Sequence, residues 1–292
     1  MNSQKKSDFN TKQKEKYTHD YSNDFIQALM NRSAGTEAAF FLPYLHSNMM
    51  VLDCGCGPGA ITTDFVKIVA PGKVIGIDID ESQIEFARNH TGGLGIENLD
   101  FKVADIYKLP FLDDSFDAAF AHTTFQHLSD PVSALKEIYR VLKPGGFVGI
   151  RDDDVGSAIW SPINSLMEKG HTIFQEVWKH NGGDPRFGRR RRQALREAGF
   201  SNIKVSATCF CCETSEAVEE QSKFAIAMAS APNFRNQAVA LNLCDEKFLD
   251  DLTEEWRKWG EHPDAFFAVI FCEAVGSDHI SVSQTAETLY YD

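Results

Sequence analysis

The chain has 292 residues, with 29 basic against 42 acidic side chains and a formal net charge of -13. A hydrophobic fraction of 43% and a charged fraction of 24% belong to a globular protein and exclude disorder or a collagen-like structure for the bulk of it. The acidic balance argues against nucleic acid or an anionic membrane as a partner, because a phosphate surface rewards a basic face.

Residues 1–20 are polar and mixed in charge, expected to be mobile up to about Tyr17, and hold no apolar run of the kind a signal peptide needs. No apolar stretch reaches the roughly 18 residues of a membrane span. The seven cysteines are irregularly spaced and complete no zinc pattern, so reduced thiols in a cytoplasmic protein are expected. From Tyr21 to Leu45, Phe25, Leu29, Ala38, Phe41, Leu42 and Leu45 recur at helical spacing. Two short helices with a break at Gly35 are predicted there.

The pattern then changes. Met49–Cys54, Val74–Ile79, Leu99–Ala104, Phe116–His122 and Phe147–Arg151 are short apolar runs. Between them lie helical patterns over Ala60–Val69, Glu81–His90 and Pro131–Leu142. Strand–helix alternation of this kind predicts a parallel sheet with helices on both faces. Lys143-Pro144-Gly145-Gly146 reads as the turn into the fifth strand. Beyond Arg151 the texture is helical and irregular to Gly199, strands return at Ile203–Phe210 and Ala265–Ala274, and residues 213–262 between them are mostly helical.

The most informative stretch is Val51-Leu52-Asp53-Cys54-Gly55-Cys56-Gly57-Pro58-Gly59. Alternate glycines after a strand let the backbone turn tightly and approach a ligand. The GxGxG spacing differs from the usual dinucleotide fingerprint, and Asp53 ahead of it would be unwelcome beside a pyrophosphate. An acid there suits a ligand with positive charge and no phosphate, as in S-adenosylmethionine. The second strand ends at Asp78, followed by Ile79, where a carboxylate can accept from both ribose hydroxyls. A plain helix cap is the alternative for Asp78. The third strand runs into Ala104-Asp105-Ile106, with Asp105 placed to accept from an adenine amino group and Ile106 to flank the ring.

These motifs, with Phe116-Asp117, His127-Leu128-Ser129-Asp130-Pro131 and Leu142-Lys143-Pro144-Gly145-Gly146, resemble the class I S-adenosylmethionine-dependent methyltransferases of the small-molecule type. Lys16-Tyr17-Thr18-His19, Arg186–Arg190 and Trp256-Arg257-Lys258-Trp259 are more weakly similar to a subgroup containing the fungal gliotoxin thiol-methyltransferases. Cys54 departs from the small or β-branched residue that many relatives carry. The resemblance implies that Gly55 and Gly57 hold the methionine amino group, with Asp53 shaping the loop. It implies Asp78 and Ile79 at ribose, and Ala104, Asp105 and Ile106 at adenine. Ala121 and His122 would lie beside the methionine and the reactive methyl, and Arg32 is a candidate for the methionine carboxylate or a solvated helix charge.

His122 is the candidate catalytic residue, as a general base near the acceptor, and His127 reads mainly as structural. Asp152, Asp153 and Asp154 suggest a solvated loop or a contact to a cationic acceptor, and no metal is expected. The arginine run Arg186 to Arg192 reads as a solvated helix start or as one reach to a polar acceptor group. The aromatic residues of 155–180 and 213–262 would pack the inserted helices and could close an apolar pocket over the cofactor.

The expected fold class is α/β, a Rossmann-like seven-stranded and mostly parallel sheet with a helical lid. An N-terminal helical segment spans 1–48, the methyltransferase domain 49–276 with covering segments 155–200 and 213–262, and a tail 277–292. The expected activity is methyl transfer from S-adenosylmethionine, yielding S-adenosylhomocysteine, to a small-molecule acceptor. A thiol is favoured, with O-, N- or C-methylation open. A nicotinamide-dependent oxidoreductase and a non-catalytic cofactor-binding protein are the rivals, and the sequence leaves the oligomeric state unassigned.

Overall fold

The structure is a computed structural model that describes residues 17–18 and 23–277. Lys16, His19 and residues 278–292 of the expected tail lie outside the described residues. Helices α1 (Asn23–Met30) and α2 (Ala34–Glu37) come first. The break between them falls at Asn31–Ser33 rather than at Gly35, because Ser33 caps α2 by accepting from the Thr36 N–H.

The alternating body follows as β1 (Met50–Cys54), α3 (Ala60–Val69), β2 (Lys73–Asp78), α4 (Glu81–Thr91), β3 (Leu99–Val103), β4 (Phe116–His122) and α5 (Pro131–Val141). Its helix starts are fixed by local chemistry. Asp80 accepts from the N–H groups of Ser82 and Gln83 at the head of α4, and Asp130 accepts from Ser133 with Pro131 in the first turn of α5.

Strand β5 (Leu142–Ser161) is the main departure from expectation. It continues ten residues past Arg151, where the sequence reads as irregular and helical. The rest runs α6 (Ser165–His180), α7 (Arg191–Ala198), β6 (Ser201–Cys211), α8 (Ser215–Ser230), α9 (Pro232–Ala240), α10 (Glu246–Gly260) and β7 (Phe266–Ser277). The residue order Lys143-Pro144-Gly145-Gly146 lies inside β5, where the register against β4 shifts and Gly145 takes a left-handed φ of 83°.

The seven strands form one sheet in the order β3-β2-β1-β4-β5-β7-β6. β1 pairs in parallel with both β2 and β4, so the chain reverses its winding there and the helices part to opposite faces. β7 runs antiparallel between β5 and β6.

Two cores follow from the alternation of side chains along the strands. Leu52, Ile75, Ala119 and Ile150 meet α5 and α7 on one face. Val51, Val74, Ala118 and Phe120 meet α3 and the α2 region on the other. Phe120 is fully buried, with ring centroids of Phe41 at 5.6 Å and Phe65 at 5.2 Å.

Above the carboxyl end of the sheet, α6 and α8–α10 make a helical cover with cores of its own. α6 and α10 approach closely at Gly170, where a Cβ would meet Leu252 at 2.6 Å. α1 joins the cover through Phe25, whose ring stacks with that of Phe224 at 5.9 Å.

Phe120→Ala leaves a void among three rings and is expected to cost about 3–5 kcal/mol. Urea unfolding that shows an unchanged midpoint would contradict this account of the core.

Candidate active site

A single cavity of about 1570 Å³ lies between the carboxyl tips of the strands and the helical cover. Its floor is the glycine loop. Gly55, Gly57 and Gly59 all have left-handed φ, at 72°, 52° and 86°. At Gly55 a Cβ would meet the Thr124 hydroxyl at 2.4 Å, whereas a Cβ at Gly57 would meet nothing closer than 3.9 Å. The loop is held from below by Asp53, which is buried and accepts from the Thr62 hydroxyl at 2.6 Å. Burial pushes its carboxyl up to about 7, against the Thr62 hydrogen bond. Asp53 is therefore tied into the turn.

Asp78 is not the helix cap, a part taken by Asp80. Its two oxygens accept from the Gly57 and Asp80 N–H groups, each at 3.0 Å, and burial raises its pKa against those bonds. Each carboxylate oxygen keeps a lone pair for a further donor. Ile79 beside it is 65% exposed and lines the cavity. Ala104, Asp105 and Ile106 line it too, with Asp105 exposed and accepting from the Tyr107 N–H at 2.9 Å. Ala121 is the exception. Its side chain is buried in the α5-side core, and it is His122 and Thr123 after it that reach the cavity.

His122 sits in a buried charged cluster. Its Nε2 lies 3.0 Å from Glu37 Oε2 and its Nδ1 3.4 Å from both Arg32 Nη1 and the Thr123 hydroxyl. Arg151 Nη1 lies 2.7 Å from the same Nε2, so that nitrogen faces both a carboxylate acceptor and a guanidinium donor, and the tautomer follows whichever of the two it engages. Arg151 also binds Glu37, pairs with Glu273 at 3.4 Å and lies over the Phe271 ring at 3.8 Å.

Burial, reinforced by the two arginines, pushes the imidazole down to about 3 despite the Glu37 hydrogen bond. Glu37 would be raised by burial, but His122 and the arginines hold it at about 2. A base whose protonated form is this unfavourable has little drive to take a proton, so the surroundings of His122 do not favour the general-base role expected of it. Arg32 donates to the Thr123 hydroxyl at 3.2 Å and faces the cavity, so it is not a solvated helix charge. His127 stacks on Trp178 at 4.6 Å, in keeping with a structural part, yet it also borders the cavity.

One sequence expectation is corrected outright. Asp152–Asp154 belong to strand β5, not to a solvated loop. Asp152 is buried and accepts from the Gln126 N–H at 3.1 Å, Asp154 binds Arg189 at 2.5 Å, and only Asp153 of the three borders the cavity. The arginine run leads into helix α7 with Arg186, Arg189, Arg190 and Arg192 exposed, as the solvated reading expects, and it also latches its neighbours. Arg190 holds Asp184, and Arg191 donates to the Glu273 and Ser206 carbonyls at 2.7 Å.

Sequence reasoning missed Glu37, Arg151, Thr123 and Gln83. Thr123 has a left-handed φ of 49°, unusual for a β-branched residue, and is pinned by its N–H to the Arg151 carbonyl at 2.7 Å. Gln83 is 1% exposed beside Gly57, with neither amide atom bonded.

The upper wall is aromatic, including Trp160, Phe174, Trp178, Phe224, Phe234 and Trp256. Acid-tipped strands for hydroxyl and amino donors, an open glycine cradle and an arginine suit an adenosyl amino acid. No cluster of three or more metal-ligating side chains occurs among the described residues. None of the helices described is long and apolar enough to cross a membrane.

Comparisons with known proteins identify the family. Residues 45–199 match a family model described as a methyltransferase domain. An uncharacterized methyltransferase of Schizosaccharomyces pombe is 32% identical over 241 residues, covering 79% of this chain and 84% of the relative. A probable methyltransferase of Aspergillus luteorubrus, ltbC, is 36% identical over 291 residues, covering 90% and 97%. Among solved structures, phosphoethanolamine N-methyltransferase 2 of Haemonchus contortus, in complex with phosphomonomethylethanolamine and S-adenosylhomocysteine, has a TM-score of 0.56 at 18% identity. That alignment covers 84% of this chain and 52% of the other, so the chain spans about half of it and the likeness is one of fold. The chain belongs to the class I S-adenosylmethionine-dependent methyltransferases.

Proposed function

We propose that the protein methylates a compact, largely apolar small molecule, bound in the same cavity as the cofactor. The observation that carries this is the continuity of that cavity from the glycine loop to the aromatic cover. Its volume of about 1570 Å³ exceeds the roughly 300–1,000 Å³ of a one-ligand pocket, which leaves room for an acceptor beside the cofactor. A deep, aromatic-lined cleft suits a metabolite better than a nucleic acid or a membrane surface. The seven free cysteines are in keeping with a cytoplasmic setting.

In this reading Asp78 accepts from the ribose hydroxyls, with Gln83 at hand for the same face. Asp105 accepts from the adenine amino group, between Ile79, Ala104 and Ile106. Gly55 and Gly57 bring backbone groups close to the methionine end, and Arg32 pairs with its carboxylate. Asp53 acts through the loop it anchors. The bound cofactor supplies an electrophilic methyl on a sulfonium centre. The protein's own share is to exclude water with the aromatic cover and to hold the acceptor in line. His122, neutral and fixed by Glu37, positions Arg32 and Thr123 and forms part of the wall. A thiol acceptor fits this division of labour, since a thiol with a pKa of about 8.5 supplies a useful anion fraction by itself. Oxygen, nitrogen or carbon acceptors would need more help, and incubation with labelled S-adenosylmethionine and a panel of thiols, phenols and amines tests the choice. No label transferred to any of them would overturn the small-molecule reading.

Asp78→Ala is expected to weaken S-adenosylhomocysteine binding by about 1–3 kcal/mol, the loss of hydrogen bonds to a charged acceptor. Unchanged affinity in calorimetry would remove Asp78 from the ribose. Gly55→Val should abolish cofactor binding while the chain stays folded by circular dichroism, because a β-branched residue fits neither the left-handed backbone nor the contact with Thr124. A folded variant that binds normally would make the loop a mere packing turn.

With its pKa near 3, His122 stays neutral throughout the working range. The ratio of wild-type to His122→Ala turnover should then be constant between about pH 5 and pH 8. A ratio that shrinks as the pH rises would restore a general-base role, because hydroxide would be replacing the imidazole.

A further inference from the structure

The two edges of the sheet are built differently. β3 is five residues long and carries Asp100 and Lys102, the short charged form that discourages pairing with another chain. β6 is 11 residues long, and its stretch from Val205 to Cys211 carries no formal charge and no proline. Residues 204–210 are exposed, and among the described residues β7 is the only strand beside β6.

The register extends this edge into a face. Ile159 of β5 pairs with Ala268 of β7, which pairs with Cys211 of β6. Two residues along, Ile270 pairs with Cys209, and Phe266 lies two residues the other way. Directly paired residues share a face, and so do alternate residues of one strand. These six side chains therefore form one apolar patch on the outer side of the sheet extension, bordered by Asp154, which pairs with Ile270 and is neutralised by Arg189 at 2.5 Å. Ile159 is 59% and Phe266 38% exposed on it. The residues between them, Trp160, Phe267, Val269 and Phe210, line the cavity on the other side.

We propose that this face and the β6 edge bind a second copy of the chain, with the two β6 strands antiparallel across a two-fold axis. A strand edge is self-complementary in that arrangement, as a two-fold interface requires. Two molecules of net charge -13 meet most easily where neither carries charge, and 205–211 is such a stretch. The same net charge disfavours an anionic lipid surface as the occupant. Pairing would stiffen the three strands whose inner side forms the acceptor wall. This proposal does not depend on the acceptor assignment.

The test is sedimentation equilibrium of the full chain, whose mass is 32.7 kDa. Wild type is expected at twice that mass. Cys209→Lys and Ile159→Glu, each placing a charge in the patch and neither in the cofactor site, should return to the single-chain mass with unchanged S-adenosylhomocysteine affinity. A wild type that remains at the single-chain mass at high micromolar concentration overturns the proposal, as does a double mass that survives both substitutions. A monomeric wild type that floats with neutral-lipid vesicles would also overturn it and assign the face to a membrane. Should a variant lose cofactor binding and so prove misfolded, amide exchange of wild-type residues 205–211 decides. Exchange that slows on concentration supports pairing, and exchange independent of concentration refutes it.

Discussion

One buried guanidinium ties the halves of the molecule together. Arg151 is 5% exposed and lies where β5 leaves the parallel sheet. It reaches Glu37 at the end of α2, Glu273 in β7 and the Thr208 hydroxyl of β6, with the Phe271 ring against its face. A charge this deep persists only with its partners in place. Its carbonyl also holds the Thr123 N–H, so the strained residue at the tip of β4 depends on it. The N-terminal segment, the tip of β4 and the outer strands β6 and β7 all meet at this one residue.

That arrangement separates two kinds of chemistry within a continuous cavity. On the glycine-loop side, polar groups are already engaged: Asp53 with Thr62, Asp78 with two backbone N–H groups, and His122 with Glu37. Engagement fixes them in place, which is what a preorganised binding surface requires. On the other side the wall is built of rings whose order comes from packing, as where Trp178 stacks on His127 and meets Phe174 edge-on. Such a wall selects by shape and dryness more than by hydrogen bonds.

The alternating strand–helix half is legible in the sequence because its determinants are local. β4 and α3 start and stop where the apolar pattern says, and the glycines and acids of the strand tips sit beside the strands that carry them. β5 was not legible beyond Arg151, since Asp152-Asp153-Asp154 reads as solvated loop until Gln126, Arg189 and the strand partner β7 are known. Glu37, Arg151 and Thr123 escaped notice for the same reason. Their roles come from contacts between residues far apart in the chain, such as Arg151 with Glu37 and Glu273, which no periodicity encodes. His122 was found by position, but its protonation behaviour is set by neighbours that only the fold brings together.

The reversed direction of β7 has a consequence for how such a molecule can change. β6 ends at Cys211 and β7 begins at Phe266, and Cys211 is paired with Ala268. Helices α8–α10 thus leave and rejoin the sheet at neighbouring points, like the bow of a ribbon. An excursion closed at its base can lengthen, shorten or be replaced with little effect on what lies beneath it, because the cost of a longer loop grows only slowly with its length. The helices that wall the cavity from above are thereby free to drift, while the glycine loop and the strand tips stay bound by the geometry of the sheet.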